Sequence, residues 1–491
     1  MEIQQWEKHT SCYFCCDWNG CQSRHLHRLP RCDLPTKNKE EKIMKKLLAI
    51  LMVLCMMLSL VACGGSSAPA ATEAPKAEEP AAEAPAVEAE PEPVTIRFWQ
   101  AGGDTVGASS VMRLLLDKFE LQNPGITVEY QAIPWSNDPH VQFQTGIAGG
   151  DIADVLVVGS PLDFQLSNEG ALLPLDDLLD PAVKADISEV LLNECIYAGT
   201  QNPEMTGKIM SLPLYTGTRA IMYNKEIFDY FGVEYPTEQM THAELLELAK
   251  KLTGDMDGKK VYGYGTRATT SEQYLNFAWN YGAILVDPAT WKAGTDSEAW
   301  RKGIEDYLKF YTEGVTPEGS VAMDGTTLYN MFLNGEIAMF CGAVDYAIQS
   351  GWGEEKLGIA PLVGETYATC YCGADILVVP NKGEATQTEA AAKLLNYLMS
   401  TEAQATYCKN VGFFPGIASA AADPYFAENF IQAGFAATTA GAHYFGNYGV
   451  PNVGSYLKAN IQMLINGEVT MDEYIQNVTA EIQASIDETY G

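Results

Sequence analysis

Val94-Thr95-Ile96-Arg97-Phe98-Trp99 alternates apolar and polar positions, the period of a strand with one face in a core. Met112, Leu115, Leu116 and Phe119 then recur at helical spacing within 109–121, and Asn123-Pro124-Gly125 stops that helix. Ile126, Val128 and Tyr130 mark a second strand, 140–148 a short helix, and 154–158 a third, more continuously apolar strand. This β-α-β-α-β order predicts an α/β fold, with a parallel sheet flanked by helices. Thr241-x-x-Glu244 reads as a capping box ahead of Leu245, Leu248, Ala249 and Leu252, and Thr386-x-x-Glu389 as another ahead of Ala391, Leu394, Leu395 and Leu398. Those helices serve packing. Ligands of open parallel sheets settle beyond the carboxyl ends of strands, which favours Trp99, Gln100, Gly159 and Ser160 over any helix-face residue.

Upstream the pattern is of another kind. From Met44, two lysines precede an apolar run from Leu47 to Leu60, too short to span a bilayer with normal flanks, and small residues follow. Residues 44–63 therefore read as a secretory signal. Leu60-Val61-Ala62-Cys63 before Gly64-Gly65 resembles a bacterial lipobox, which implies lipidation of Cys63 and attachment to a membrane without a transmembrane helix. Residues 64–93 are almost wholly Ala, Pro, Glu, Gly, Ser and Thr, a composition that buries no core and reads as an extended tether. A signal behind a polar preamble makes little sense, so residues 1–43 are expected to reflect a mis-assigned start. Cys12-x-x-Cys15 has zinc-ligand spacing there, but no metal framework is expected in this chain.

Composition narrows the function classes. The 491 residues carry a net charge of −32, which disfavours phosphate backbones and anionic lipid surfaces, so nucleic-acid binding is set aside. Hydrophobic residues make up 47%, material enough for two globular lobes. Beyond Cys63 only Cys195, Cys341, Cys370, Cys372 and Cys408 remain, and a body of this size requires no disulfide.

The segments VTIRFWQ, FELQNPGITVEY, IAGGDIADVLVV, GALLPLDDLL, SLPLYTGTRAIMYNKEIFDYFGV, FLNGEIAMFCGAVDY and GADILVVPNKGEATQTEAAAKLLNYLMSTEAQATY, in this order and spacing, resemble the bacterial extracellular solute-binding proteins of ABC importers, the family that includes maltose-binding protein. The resemblance implies a two-lobed periplasmic-binding-protein fold with a hinge and an interlobe ligand cleft. One lobe would take 94–213 plus 360–408, the other 214–359 plus 409–491. It also implies a monomer that needs no cofactor, captures a small solute by lobe closure and delivers it to permease subunits from the extracytoplasmic face of the cell membrane.

A sugar offers hydroxyls that need hydrogen-bond partners and C–H faces that stack on rings, so a carbohydrate cleft needs aromatics beside acids and amides. Trp99, Trp135, Ser160 and Asp163 follow the first three strands. Tyr215, Arg219 and Tyr223 share one side if their segment is a strand, although Tyr223 reads as structural. Trp279, Asp345, Tyr346, Trp352, Tyr371 and Asp375 complete the ligand-binding set implied by the resemblance. Asp345 stands where many relatives have a glycine. For each aromatic the alternative is core or rim packing. Gly263-x-Gly265-x-x-Ala268 fits a dinucleotide fingerprint without a clear strand-to-helix opening, and Asp255-Met256-Asp257-Gly258 lacks the later ligands of a calcium loop. No nucleophile elbow, zincin motif or phosphate loop is present, and no catalytic residue is expected. A carbohydrate is the expected cargo. A cationic solute is the first alternative, and a surface glycoside hydrolase the second.

Overall fold

The computed structural model describes residues 93–103, 107–160, 162–383, 387–445 and 449–490. The signal, tether and preamble expected within 1–92 lie outside the described residues. Thirteen strands are present among those described: β1 (Val94–Ala101), β2 (Ile126–Ile133), β3 (Val155–Gly159), β4 (Leu212–Asn224), β5 (Gly254–Met256), β6 (Lys259–Gly265), β7 (Val286–Asp287), β8 (Lys292–Ala293), β9 (Ile337–Ala343), β10 (Leu357–Ile359), β11 (Cys370–Val378), β12 (Phe414–Pro415) and β13 (Ala442–His443). The main path runs β2-β1-β3-β11-β4-β9-β6-β5.

The alternating first strands form as their patterns require. β1 pairs in parallel with β2 and β3, and the helix Ala108–Gln122 buries Met112, Leu115, Leu116 and Phe119 against them. Each such side chain contributes up to about 1.5–3 kcal/mol by leaving water. The parallel run of β2, β1 and β3 ends at β3, and β6 and β9 pair in parallel further along the path. β11 runs antiparallel to both β3 and β4, and β9 antiparallel to β4.

β4 is the element on which the architecture turns. Its residues from Leu212 to Thr218 pair with β11, and those from Arg219 to Tyr223 pair with β9. At about 3.3 Å per residue a strand of this length reaches through two cores. The first core gathers Phe98, Leu116, Val157, Leu214, Tyr215, Leu377 and Leu394, with Ile133, Leu156 and Val158 packed on the other face of its sheet. The second gathers Tyr223, Phe228, Leu245, Tyr264, Trp300, Tyr307 and Ile461, with Met222, Phe340 and Phe435 on its opposite face.

Packing moves the expected lobe limits. Ala360 joins the second core, whereas Ile376 and Leu377 belong to the first lobe, so that passage falls within β11 rather than at 360. Ile417, Ala420 and Phe426 remain in the first core and Ile431 enters the second, so the last passage falls well beyond 408.

Local signals behave unevenly. Thr241 and Glu244 make both bonds of a capping box, at 3.2 and 2.8 Å. Thr386 lies outside the described residues, and the helix Thr388–Leu398 begins behind Gln387. Asp257 and Gly258, both at positive φ, form the two-residue turn between β5 and β6. The glycine fingerprint does not open a helix from a strand, since the next helix begins at Glu272. Gly263 and Gly265 lie inside β6, where they let the backbone approach Ala249 and the side chains of Ile337 and Leu328. They serve close packing, not a phosphate.

Gly303 plays the same role where the helix Glu298–Thr312 crosses the helix Glu272–Asn280. A Cβ there would overlap the backbone of Phe277 and Ala278. Gly303→Ala should therefore destabilise the protein by about 1–3 kcal/mol. Urea unfolding checks this, with a lowered midpoint at unchanged slope as the expected outcome.

Candidate functional site

The middle of β4 is where the two cores meet, and Arg219 stands there. Its Nη2 and Nε both donate to Glu272 Oε2, at 2.9 and 3.2 Å, while Arg267 Nη2 donates to the other oxygen of the same carboxylate at 3.3 Å. Burial alone would raise the Glu272 carboxyl, but the two guanidiniums outweigh it and hold the group below its ordinary range. Arg219 itself stays firmly protonated, because Glu272 more than offsets its desolvation.

Around this pair lie several of the residues singled out in the sequence. Tyr371 presents its ring to the Arg219 guanidinium, 5.3 Å from the centroid. Trp279 lies parallel to Tyr371 at 6.3 Å and is met from elsewhere by His443 at 4.3 Å, so it is only 2% exposed. Asp345 opens the helix Val344–Gln349 and is buried, and its Oδ1 has no hydrogen-bond partner. Burial pushes its carboxyl up to about 6 despite the pull of Arg219. Asp375 is raised to about 7, again by burial, against a hydrogen bond from Tyr215 and the attraction of Arg219. Tyr346 stacks on Tyr329 at 4.7 Å within the field of the same charges.

Tyr215 reaches this place only through its hydroxyl on Asp375, and Tyr223 does not share it, although both lie on the same side of β4 as Arg219. Tyr215 stacks with Phe413 at 4.3 Å and Tyr407 at 5.2 Å in the first core, and Tyr223 packs on Phe228 in the second. A strand that pierces two cores leaves only its middle at their boundary. Trp99 lies against Phe143 and beneath Arg97, and Trp352 against Phe332 and beneath Lys356, both in packing positions away from Arg219.

Two further groups sit on the first lobe. Asp163 accepts from Ser211 at 2.7 Å, leaves Oδ1 without a partner and is raised to about 6 by burial. Trp135 is seated over Gly102 and Gly159, glycines at the carboxyl ends of β1 and β3, where any Cβ would meet the indole. His140 braces its edge at 5.4 Å, and the ring remains 46% exposed. Ser160 follows β3, its amide donating to Ala374.

Sequence reasoning missed the residues that hold this arrangement together. One face of the helix Glu272–Asn280 carries Glu272, Gln273, Asn276 and Asn280. Gln273 donates to the Cys341 carbonyl of β9 at 3.3 Å, and Asn276 accepts from the Tyr371 amide of β11 at 2.7 Å. Asn280 Oδ1 accepts from the amide and hydroxyl of Thr369 at 2.9 and 2.7 Å, and its Nδ2 donates to the Val363 carbonyl at 3.0 Å. The available signal was a polar stripe at i, i+4 and i+8 on an otherwise apolar helix.

The same network decides the one cluster with metal-like spacing among the described residues, His242, Asp306 and Glu365. The bonds of Asn280 fix its Nδ2 as a donor, and it lies 3.0 Å from His242 Nε2, which must accept. The proton is therefore on Nδ1, where Asp306 receives it at 3.0 Å, so the imidazole offers no free lone pair to a metal. The five described cysteines are unpaired thiols. A cavity of about 40 Å³ lies between Arg219, Asn276, Cys341 and Cys370. It has room for a few waters but not for a sugar.

The sequence model of bacterial extracellular solute-binding proteins matches residues 102–405. A binding protein of Brucella abortus (strain 2308) is 26% identical over 329 residues, 65% of this chain and 75% of that protein. An ABC transporter solute-binding protein from Thermotoga lettingae TMO, solved bound with alpha-D-tagatose, superposes with a TM-score of 0.70 at 21% identity, over 80% of this chain and 99% of its own. The GacH receptor of Streptomyces glaucescens GLA.O, solved unliganded and with acarbose, does so with a TM-score of 0.69 at 21% identity, over 81% and 100%. With two cores threaded by shared strands in the two-lobed periplasmic-binding-protein fold, the chain belongs to the bacterial extracellular solute-binding proteins of ABC transporters.

Proposed function

We propose that this member of the family captures a carbohydrate between its lobes and delivers it to an ABC permease while anchored to the membrane through a lipidated Cys63. The observation that carries the reading is the group at the middle of β4. The Arg219 guanidinium, held between Glu272 and the half-buried Tyr371 ring, and two carboxyls, one with an open oxygen, supply the hydrogen-bonding atoms that a sugar requires. Trp135 adds a largely open ring on the lip of the first lobe. Sugars occupy the similarly folded proteins from Thermotoga lettingae and Streptomyces glaucescens.

Entry would require the lobes to part, since Asp345 and Trp279 are buried as they stand. The strand passages at β4 and β11 are then the hinge, and closure on the solute is the signal to the permease. Binding, not catalysis, is the proposed activity. A simple cationic solute is the weaker reading, because Arg219 already occupies the face of Tyr371 that would receive a cation. Membrane attachment rests on the Cys63 sequence. The acidic body supports neither nucleic acid nor bare anionic lipid as a partner, and a monomer is expected.

Isothermal titration against mono- and oligosaccharides should give dissociation constants near micromolar, about −8 kcal/mol, and Tyr371→Ala should weaken the best ligand about tenfold or more. Silence across sugars with binding to simple amines or peptides contradicts the reading, as does turnover of a chromogenic glycoside. Mass spectrometry of protein from the membrane fraction should find an acylated N-terminus at Cys63, and Cys63→Ala should release the protein. Peptides from residues 1–43 would contradict that anchor.

A further inference from the structure

The charges at the middle of β4 do not balance, and the imbalance points to a ligand group. Arg219 and Arg267 supply two positive charges, and Glu272 is bonded to both. Asp345 and Asp375 face the same place and lie within each other's field. Among the described residues neither has a Lys, Arg or His nitrogen within ion-pair distance, so with all carboxyls ionised the cluster is one positive charge short. The two carboxyls are not equivalent. Asp375 receives a hydrogen bond from the Tyr215 side chain, whereas the Asp345 carboxyl is met only by the backbone amides of its own turn, at Asp345 and Tyr346, and its Oδ1 is buried without a partner, at 7% residue exposure. A buried acceptor without a donor costs about 1–3 kcal/mol, more when it is charged, so a native position of this kind calls for a partner from outside the chain.

We propose that the solute is a sugar bearing a basic nitrogen, whose ammonium group donates to Asp345 Oδ1 and completes the charge of the cluster. The inference rests on the carbohydrate reading above and narrows it. A neutral hydroxyl would fill the missing hydrogen bond but leave the charge; an ammonium does both, in a charge-assisted bond where water is excluded. The Tyr371 face is taken by Arg219, so the ammonium is received by the carboxylate and not by the ring. Asp345 occupies the first turn after β9, and Gly412, at the end of the helix Thr401–Val411, lets that helix end approach its backbone, since a Cβ there would meet Asp345 Cα at 3.0 Å.

The sign of the pH dependence follows. The groups facing Asp345 are Arg219 on β4, Glu272 and Arg267 beside the helix Glu272–Asn280, Asp375 on β11, Tyr329, and Tyr346 on its own helix. Burial raises Asp345 to about 6 and Asp375 to about 7. The carboxylate form binds the ammonium, so affinity for an amino sugar rises from pH 5 to pH 7 as these groups ionise. A neutral sugar gains no such increase.

The test titrates the full folded protein with glucosamine, galactosamine and mannosamine and their β-1,4-linked dimers, each against its 2-hydroxy parent, at pH 5 and pH 7. The expected result is tighter binding of an amino form by about tenfold or more at pH 7, a smaller ratio at pH 5, and a ratio near one in Asp345→Asn at either pH. The thermal melt of that variant confirms that it is folded, and Asp345→Glu, which keeps the charge, should retain part of the preference. Equal binding of amino and neutral forms, or a preference that survives Asp345→Asn, overturns the ammonium assignment while leaving the carbohydrate reading standing. Failure of both series, with binding to unrelated solutes, overturns the carbohydrate reading and this inference with it.

Discussion

One polar face of a nine-residue helix sets the geometry at the meeting of the two cores. Through Glu272, Gln273, Asn276 and Asn280, the helix Glu272–Asn280 fixes the charged middle of β4, the carbonyl edge of β9, the start of β11 and the 363–369 connection. Of the strands it grips, β4 and β11 pass between lobes and β9 belongs to the second. A ligand that bears on Arg219 or Tyr371 therefore bears on the hinge, which couples occupancy to lobe position without a separate relay. Gly303 lets this helix sit close on its neighbour, so apolar packing behind it backs the polar contacts in front.

The electrostatics explain why this place is suited to binding and not simply to holding the fold together. Loss of one partner from a buried pair such as Arg219 and Glu272 costs about 3–5 kcal/mol, but an apolar replacement of the whole pair is often neutral or stabilising. The chain instead keeps two arginines and three carboxylates here, with Asp345 Oδ1 left open. Trp279, held between Tyr371 and His443, has no free face as the lobes stand, and it sets the Tyr371 ring. The open ring is Trp135, on glycines that bring the indole down onto the strand ends.

Much of the fold was legible because its signals are local. The alternation in β1, the stripe through Phe119 and the Thr241 capping box each follow from contacts within a few residues. The lobe limits were not, since the chain leaves and re-enters each core inside continuous strands, where hydrophobicity does not change. The site was legible in part. Arg219, Asp345, Tyr371 and Asp375 meet near one point, brought there by strand order that no spacing reveals. Trp99 and Trp352 pack away from that point, on Phe143 and Phe332, and residue type alone does not tell an aromatic that faces a ligand from one that faces a helix. Glu272 and Asn280 went unnoticed because polar residues on a helix ordinarily mean solvent, and here they mean contact with three strands and a loop.

The crystal structure of the protein bound to its tightest sugar tests the central claim most directly. The account predicts the sugar between the lobes, against Tyr371 and Arg219, with a donor on Asp345 Oδ1 and the helix Glu272–Asn280 unmoved relative to β9. A sugar bound elsewhere with the Arg219 cluster undisturbed would contradict it.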